Sequence, residues 1–156
     1  MEKIYRTVII DDEESAIDNL CFELQRYTYI SIEGKARNGV LGMKLIEKIR
    51  PDLVFLDVEL PDMRGMDMVA KLKGYVSWNM SVIFYTAHDK YVIDALRAKA
   101  FDFLLKPVDS DEPDSTCTFV QARIRHSGLY SAGTGRCREA FCRNNANGRF
   151  TLSSYF

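Results

Sequence analysis

A chain of 156 residues with 47% hydrophobic residues, 28% charged residues and a formal net charge of -1 has the make-up of an ordinary soluble globular domain. That composition excludes a collagen-like repeat, a long coiled coil and wholesale disorder, and the length gives room for one core rather than two. No apolar run approaches the roughly 20 residues of a membrane span, and the chain opens with charges and a strand-like run rather than a signal peptide, so the expected location is the cytoplasm.

The first element is an apolar strand over Tyr5–Ile10. A helix follows, with Ile17, Leu20, Cys21 and Leu24 at i, i+3, i+4 and i+7. Next come a strand over Ile30–Ala36 and a helix whose stripe is Leu41, Leu45 and Ile49, stopped by Pro51. Leu53–Leu56 is a third strand, and Pro61 with Gly65 marks a loop into a short helix carrying Met68, Val69 and Leu72. Ser81–Tyr85 is a fourth strand, Tyr91–Ala98 a short helix striped by Val92, Ala95 and Leu96, and Asp102–Leu105 a fifth strand. The first, third and fourth strands are almost wholly apolar, as strands buried on both faces are. The alternation predicts an α/β fold, a doubly wound five-stranded parallel sheet with helices on both faces.

Composition changes near residue 110. The last lysine is Lys106, and beyond Ser115 six arginines face one acid, Glu139. A helix over 111–125 has a plausible start at Ser110, Asp111, Glu112 and Pro113 and a thin stripe of Cys117, Val120 and Ile124. The expected division is a domain over 1–125 and an atypical Arg/Ser/Gly-rich tail over 126–156, too poor in periodic apolar residues to repay the entropy of ordering. Four cysteines, Cys21, Cys117, Cys137 and Cys142, have no paired spacing and read as reduced thiols.

Ligands of such sheets bind outside the carboxyl ends of the strands. The first strand is followed by Asp11, Asp12 and Glu13, the third by Asp57, the fourth by Thr86 and Ala87, and the fifth by Lys106 and Pro107. Parallel strands bring all of these to one edge. Two carboxylates about 4 Å apart repel by roughly 4 kcal/mol at an effective dielectric near 20, so a cation is the natural guest. An all-oxygen donor set with few protein ligands suits Mg²⁺. Lys106 and Thr86 are the groups to hold the remaining oxygens of a phosphoryl group, and Asp57 is the candidate nucleophile, forming an acyl phosphate. Taken singly, an acid after a strand is most often a solvated loop residue or a helix cap, and a lone Thr or Lys there is a turn residue or surface decoration. The joint occurrence at four strand ends carries the functional reading. His88 reads as a loop residue, and Met66 and Met68 as packing or exposed helix positions.

VIIDDEESAIDNL, RPDLVFLDVELPDMRGMDMV, VIFYTAHDKYVIDAL and AFDFLLKPVD together resemble the receiver domain of bacterial two-component response regulators, over residues 3 to about 110. TAHDKY and DFLLKPVD are similar to the LytTR-type branch. The resemblance implies a flavodoxin-like strand order 2-1-3-4-5 and phosphorylation of Asp57 by a histidine kinase. It implies Mg²⁺ held by Asp11, Asp12, Asp57 and the backbone carbonyl of Glu59, with Thr86 and Lys106 on the phosphoryl group. Phe103, three residues before Lys106, takes the switch position beside Thr86, where many relatives have tyrosine. The family's usual cis bond between Lys106 and Pro107 is expected too. A receiver homodimer is a further partner the resemblance allows, and it implies no small-molecule substrate beyond phosphodonors and no membrane.

The expected function is a phosphoacceptor signalling module rather than an enzyme. The family's final helix and the LytTR DNA-binding domain are not recognisable after residue 110, so DNA binding is not expected from this chain. Two alternatives belong to other classes. An aspartate-nucleophile phosphatase needs a second Asp two residues beyond the nucleophile, where this chain has Glu59. A nucleic-acid binder would rely on the tail arginines, which lack helical phasing and an aromatic platform.

Overall fold

The computed structural model describes residues 3–87, 102–106, 141–144 and 150–153. Strand β1 (Tyr5–Ile10) pairs in parallel with β2 (Ile30–Ala36) on one side and β3 (Leu53–Leu56) on the other. Strand β4 (Ser81–Thr86) pairs with β3, and β5 (Asp102–Leu105) with β4, so the sheet runs β2-β1-β3-β4-β5. Helices α1 (Glu14–Leu24), α2 (Gly39–Ile49) and α3 (Gly65–Lys73) make the crossovers. The helix expected over 91–98, the one over 111–125 and the Lys106–Pro107 peptide lie outside the described residues.

Because strand residues alternate between faces, a strand buried on both must be apolar throughout. Val8, Ile9, Ile10, Val54, Phe55 and Leu56 are wholly inaccessible. Val8, Ile10, Val54, Leu56, Val82 and Phe84 share one face with Ile46 of α2 and Met68, Val69 and Leu72 of α3. The alternate residues Ile9, Phe55, Ile83 and Tyr85 take the other, where the Tyr85 hydroxyl donates to Asn19 Oδ1 of α1 at 3.0 Å. The stripe predicted for α1, Ile17, Leu20, Cys21 and Leu24, is buried in full.

Helix α2 departs from expectation. Its fully buried residues are Gly39, Gly42 and Ile46, whereas Leu41 is half exposed. A Cβ on Gly42 would come within 2.6 Å of Ile10 Cδ1, so the bare backbone lets the helix settle on β1. A stripe made of glycine carries no hydrophobic signal, and the visible leucine stripe is displaced from it. Leu45 and Ile49 instead cover Gly34 of β2, where a Cβ would lie 2.8 Å from Ile49 Cδ1. The helix closes at Arg50 in the left-handed region, φ 50°, before Pro51. The Arg50 guanidinium lies 5.5 Å over the Trp78 ring, whose Nε1 donates to the Pro51 carbonyl at 2.9 Å.

Edge strand β2 carries a bulge. Thr7 faces Ile32 and Val8 faces Gly34, leaving Glu33 without a counterpart on β1. The chain divides into two units, 1–112 and 113–156. In the second, β6 (Phe141–Asn144) and β7 (Phe150–Ser153) pair antiparallel, in a stretch where the sequence indicates no element.

Candidate phosphoacceptor site

Register fixes the site. Ile10 faces Leu56 across β1 and β3, so Asp11 and Asp57 leave adjacent strands side by side. The Asp57 amide donates to the Ile10 carbonyl at 2.9 Å, and the Asp11 amide to Ala36 at 3.0 Å. Thr86 is the last residue of β4 rather than the first beyond it, and it faces Leu105. Its carbonyl accepts from the Lys106 amide at 2.9 Å, so the lysine emerges at the same edge.

Lys106 Nζ stands 2.6 Å from Asp11 Oδ2, 3.2 Å from Asp57 Oδ2 and 3.8 Å from Glu13 Oε2. The predicted carboxylates thus meet with an ammonium among them. The Asp11 side chain is 1% exposed and those of Asp57 and Lys106 are 10% exposed. Burial pushes the Asp11 carboxyl above its ordinary range, and the neighbouring Asp57 charge adds to this, against the opposing pull of Lys106 and the Glu13 amide. Burial pulls Lys106 down, but the bond to Asp11 and the charges of Asp57 and Asp11 outweigh it and hold the ammonium above its usual value. The Lys106 Nζ also sits 5.3 Å over the Tyr85 ring.

Asp12, Glu13, Asp57, Glu59, Ala87 and Lys106 line a cleft of about 190 Å³. Asp11 and Thr86 are buried and do not reach its lining. Asp12 is exposed, and one carboxylate oxygen from each of Asp11, Asp12 and Asp57 lies within 4.8 Å of the others. Asp11 Oδ2 is inaccessible and held against the Lys106 ammonium, and a carboxylate oxygen so engaged keeps a further lone pair for a cation. Hard oxygen donors at this spacing, with negative charge in excess, fit a divalent cation such as Mg²⁺. Phe103 lies on β5 opposite Phe84 in register, and its side chain is outside what is described.

The loop between β3 and α3 frames the cleft. The Glu59 amide points to Asp57 Oδ1 at 3.4 Å, Glu59 bridges Arg64, and the Gly65 amide donates to the Val58 carbonyl at 2.7 Å. A side chain at 65 has no room, because its Cβ would collide with the Asp57 carbonyl oxygen. Gly65→Ala is therefore expected to displace the Asp57 backbone and to lower stability by about 1–3 kcal/mol, read by urea denaturation.

Sequence reasoning placed Asp11, Asp12, Asp57, Thr86 and Lys106 at one edge, and they are together there. It gave no role to Asp62, whose oxygens accept from the Gly39 and Val40 amides at 2.8 and 2.9 Å. Those two amides hold the Asp62 carboxyl below its ordinary range. An acid in PDMRG reads as a loop residue, and its partners lie more than twenty residues away, so no local signal reveals it. Glu13, a candidate cap, stands at the N-cap of α1 without a capping bond and turns its carboxylate toward Lys106.

Residues 7–115 match the response regulator receiver domain family. The transcriptional regulatory protein BtsR of Escherichia coli (strain K12) is 39% identical over 120 residues, 77% of this chain and 48% of that protein. An uncharacterized response regulatory protein of Vibrio cholerae serotype O1 is 38% identical over 118 residues, 76% of this chain and 48% of its own length. The chain thus spans about half the length of the curated relatives it matches. Among solved structures, the response regulatory domain of protein mrkE from Klebsiella pneumoniae shares the fold at a TM-score of 0.68 and 21% identity, over 80% of this chain and 98% of that one.

Proposed function

This chain belongs to the response regulator receiver domain family, and from that premise we propose that Asp57 is its phosphoacceptor, charged by a histidine kinase. The observation that carries the reading is Lys106 Nζ within 3.2 Å of both Asp11 and Asp57 at the carboxyl edge of the sheet. A carboxylate oxygen of Asp57 attacks phosphorus. The P–N bond of the donor phosphohistidine breaks, its electron pair stays on the imidazole nitrogen, and an acyl phosphate forms. In this reading Lys106 holds a phosphoryl oxygen, and the Thr86 hydroxyl bonds another once the group is attached. Asp11, Asp12, Asp57 and the Glu59 carbonyl would hold Mg²⁺, which when bound neutralises charge on the transferring oxygens.

Phosphorylation then shifts a two-state element in which Thr86 moves toward the phosphoryl group and Phe103 fills the space it leaves. TAHDKY and DFLLKPVD support a LytTR-type regulator, and the likeness to transcriptional regulatory proteins supports control of transcription as the output of the longer protein. A cytoplasmic place agrees with the finding that, among the described residues, no helix is long and apolar enough to cross a membrane.

Incubation with acetyl phosphate and Mg²⁺ is the test. Intact-mass analysis should show one added phosphoryl group, and peptide mapping should put it on Asp57. Absence of incorporation, or its appearance on another residue, overturns the assignment.

A further inference from the structure

The β3–α3 loop that carries Glu59 is held at two places. At its base, Val58 and Glu59 pair with Gly65 and Arg64, and the Leu60 amide reaches the Met63 carbonyl at 3.2 Å. At its tip, both oxygens of Asp62 accept the Gly39 and Val40 amides that open α2. Those amides have no partner within the helix, and a carboxylate is the anion best suited to the positive end of the helix dipole. Met63 packs on Gly39 so closely that a Cβ there would meet its Cγ at 2.5 Å. Asn38 caps the same helix independently, accepting from the Leu41 amide at 2.8 Å, and its bond ties nothing to the loop.

We propose that Asp62 is a positioning residue for the cation site: by clamping the loop tip to α2 it holds Glu59, which lines the cleft with Asp57, in place to offer its carbonyl to the cation. The inference rests on the Mg²⁺ reading above. Groups that orient ligands without touching the metal typically carry 10- to 100-fold in metal affinity. The geometry separates positioning from simple helix stability, because Asp62 and Asn38 cap one helix and only Asp62 belongs to the loop.

Isothermal titration of Mg²⁺ into the wild type, Asp62→Ala, Asp62→Asn and Asn38→Ala tests this, with melting temperatures taken in chelator. Asp62→Ala is expected to weaken the Mg²⁺ Kd about tenfold, and Asp62→Asn, which keeps one acceptor oxygen, by less. Asn38→Ala should lower the melting temperature by a few degrees and leave Kd unchanged. At saturating Mg²⁺ the phosphorylation rate of Asp62→Ala should return to the wild-type value. Unchanged Kd in both Asp62 variants overturns the proposal, as does an equal loss in Asn38→Ala, which would make the effect one of helix fraying. If Asp62→Ala does not fold, Asp62→Asn decides alone. A wild type that takes up no Mg²⁺ overturns the underlying cation reading instead, an outcome visible before any variant is compared.

Discussion

Asp57→Asn is expected to take up no phosphoryl group from acetyl phosphate and Mg²⁺ while remaining fully folded. The amide has no anionic oxygen to attack phosphorus, so the loss is complete rather than graded. The fold should not suffer, because the Asp57 charge raises the cost of ionising the buried Asp11, and its removal brings that carboxyl back toward its ordinary range. A melting temperature at or above wild type, alongside absent phosphorylation by intact mass, is the expected pair of results. Residual phosphorylation at the wild-type level would place the acceptor elsewhere.

Lys106→Met should have the largest effect on stability. The substitution leaves Asp11 and Asp57 facing each other without their ammonium, and breaking a buried ion pair from one side typically costs about 3–5 kcal/mol. The pH dependence follows from the directions given above. Lys106 has a raised value in the folded state, so its contribution is complete below its ordinary 10.5 and is lost as pH climbs through the folded value. The gap between wild type and variant should therefore narrow in strong alkali. It should narrow again in acid, because without Lys106 the buried Asp11 loses the charge that pulls its carboxyl down, so the folded variant gains more than the folded wild type from taking up a proton there. Urea denaturation across pH, in chelator, measures both. A constant gap would mean that the lysine acts through packing alone.

The site was legible in the sequence because it is built from strand ends. Once Tyr5–Ile10, Leu53–Leu56 and Ser81–Tyr85 are identified as buried parallel strands, topology alone carries Asp11, Asp57 and Thr86 to one edge. What stayed hidden depends on the backbone. Gly39 and Gly42, among the most buried positions of α2, carry no hydrophobic signal, so the stripe of Leu41, Leu45 and Ile49 located the helix while only Leu45 and Ile49 of it pack on the core. Asp62 acts on amides of a helix that precedes it by a strand and two loops, and amides carry no sequence identity. The β6–β7 ladder is four residues long on each side, a length at which antiparallel pairing leaves little period to detect.

The bulge at Glu33 bears on how copies of this domain can meet. Among the described residues β2 has a partner on one side only, so its outer edge offers amides and carbonyls to any extended segment. An incoming strand needs those groups at a regular repeat, and the extra residue breaks that repeat midway along β2. Glu33 and Lys35, both exposed, would put opposite charges along the seam, each requiring a matching partner before the strand could close. Sheet extension is thereby disfavoured at this edge.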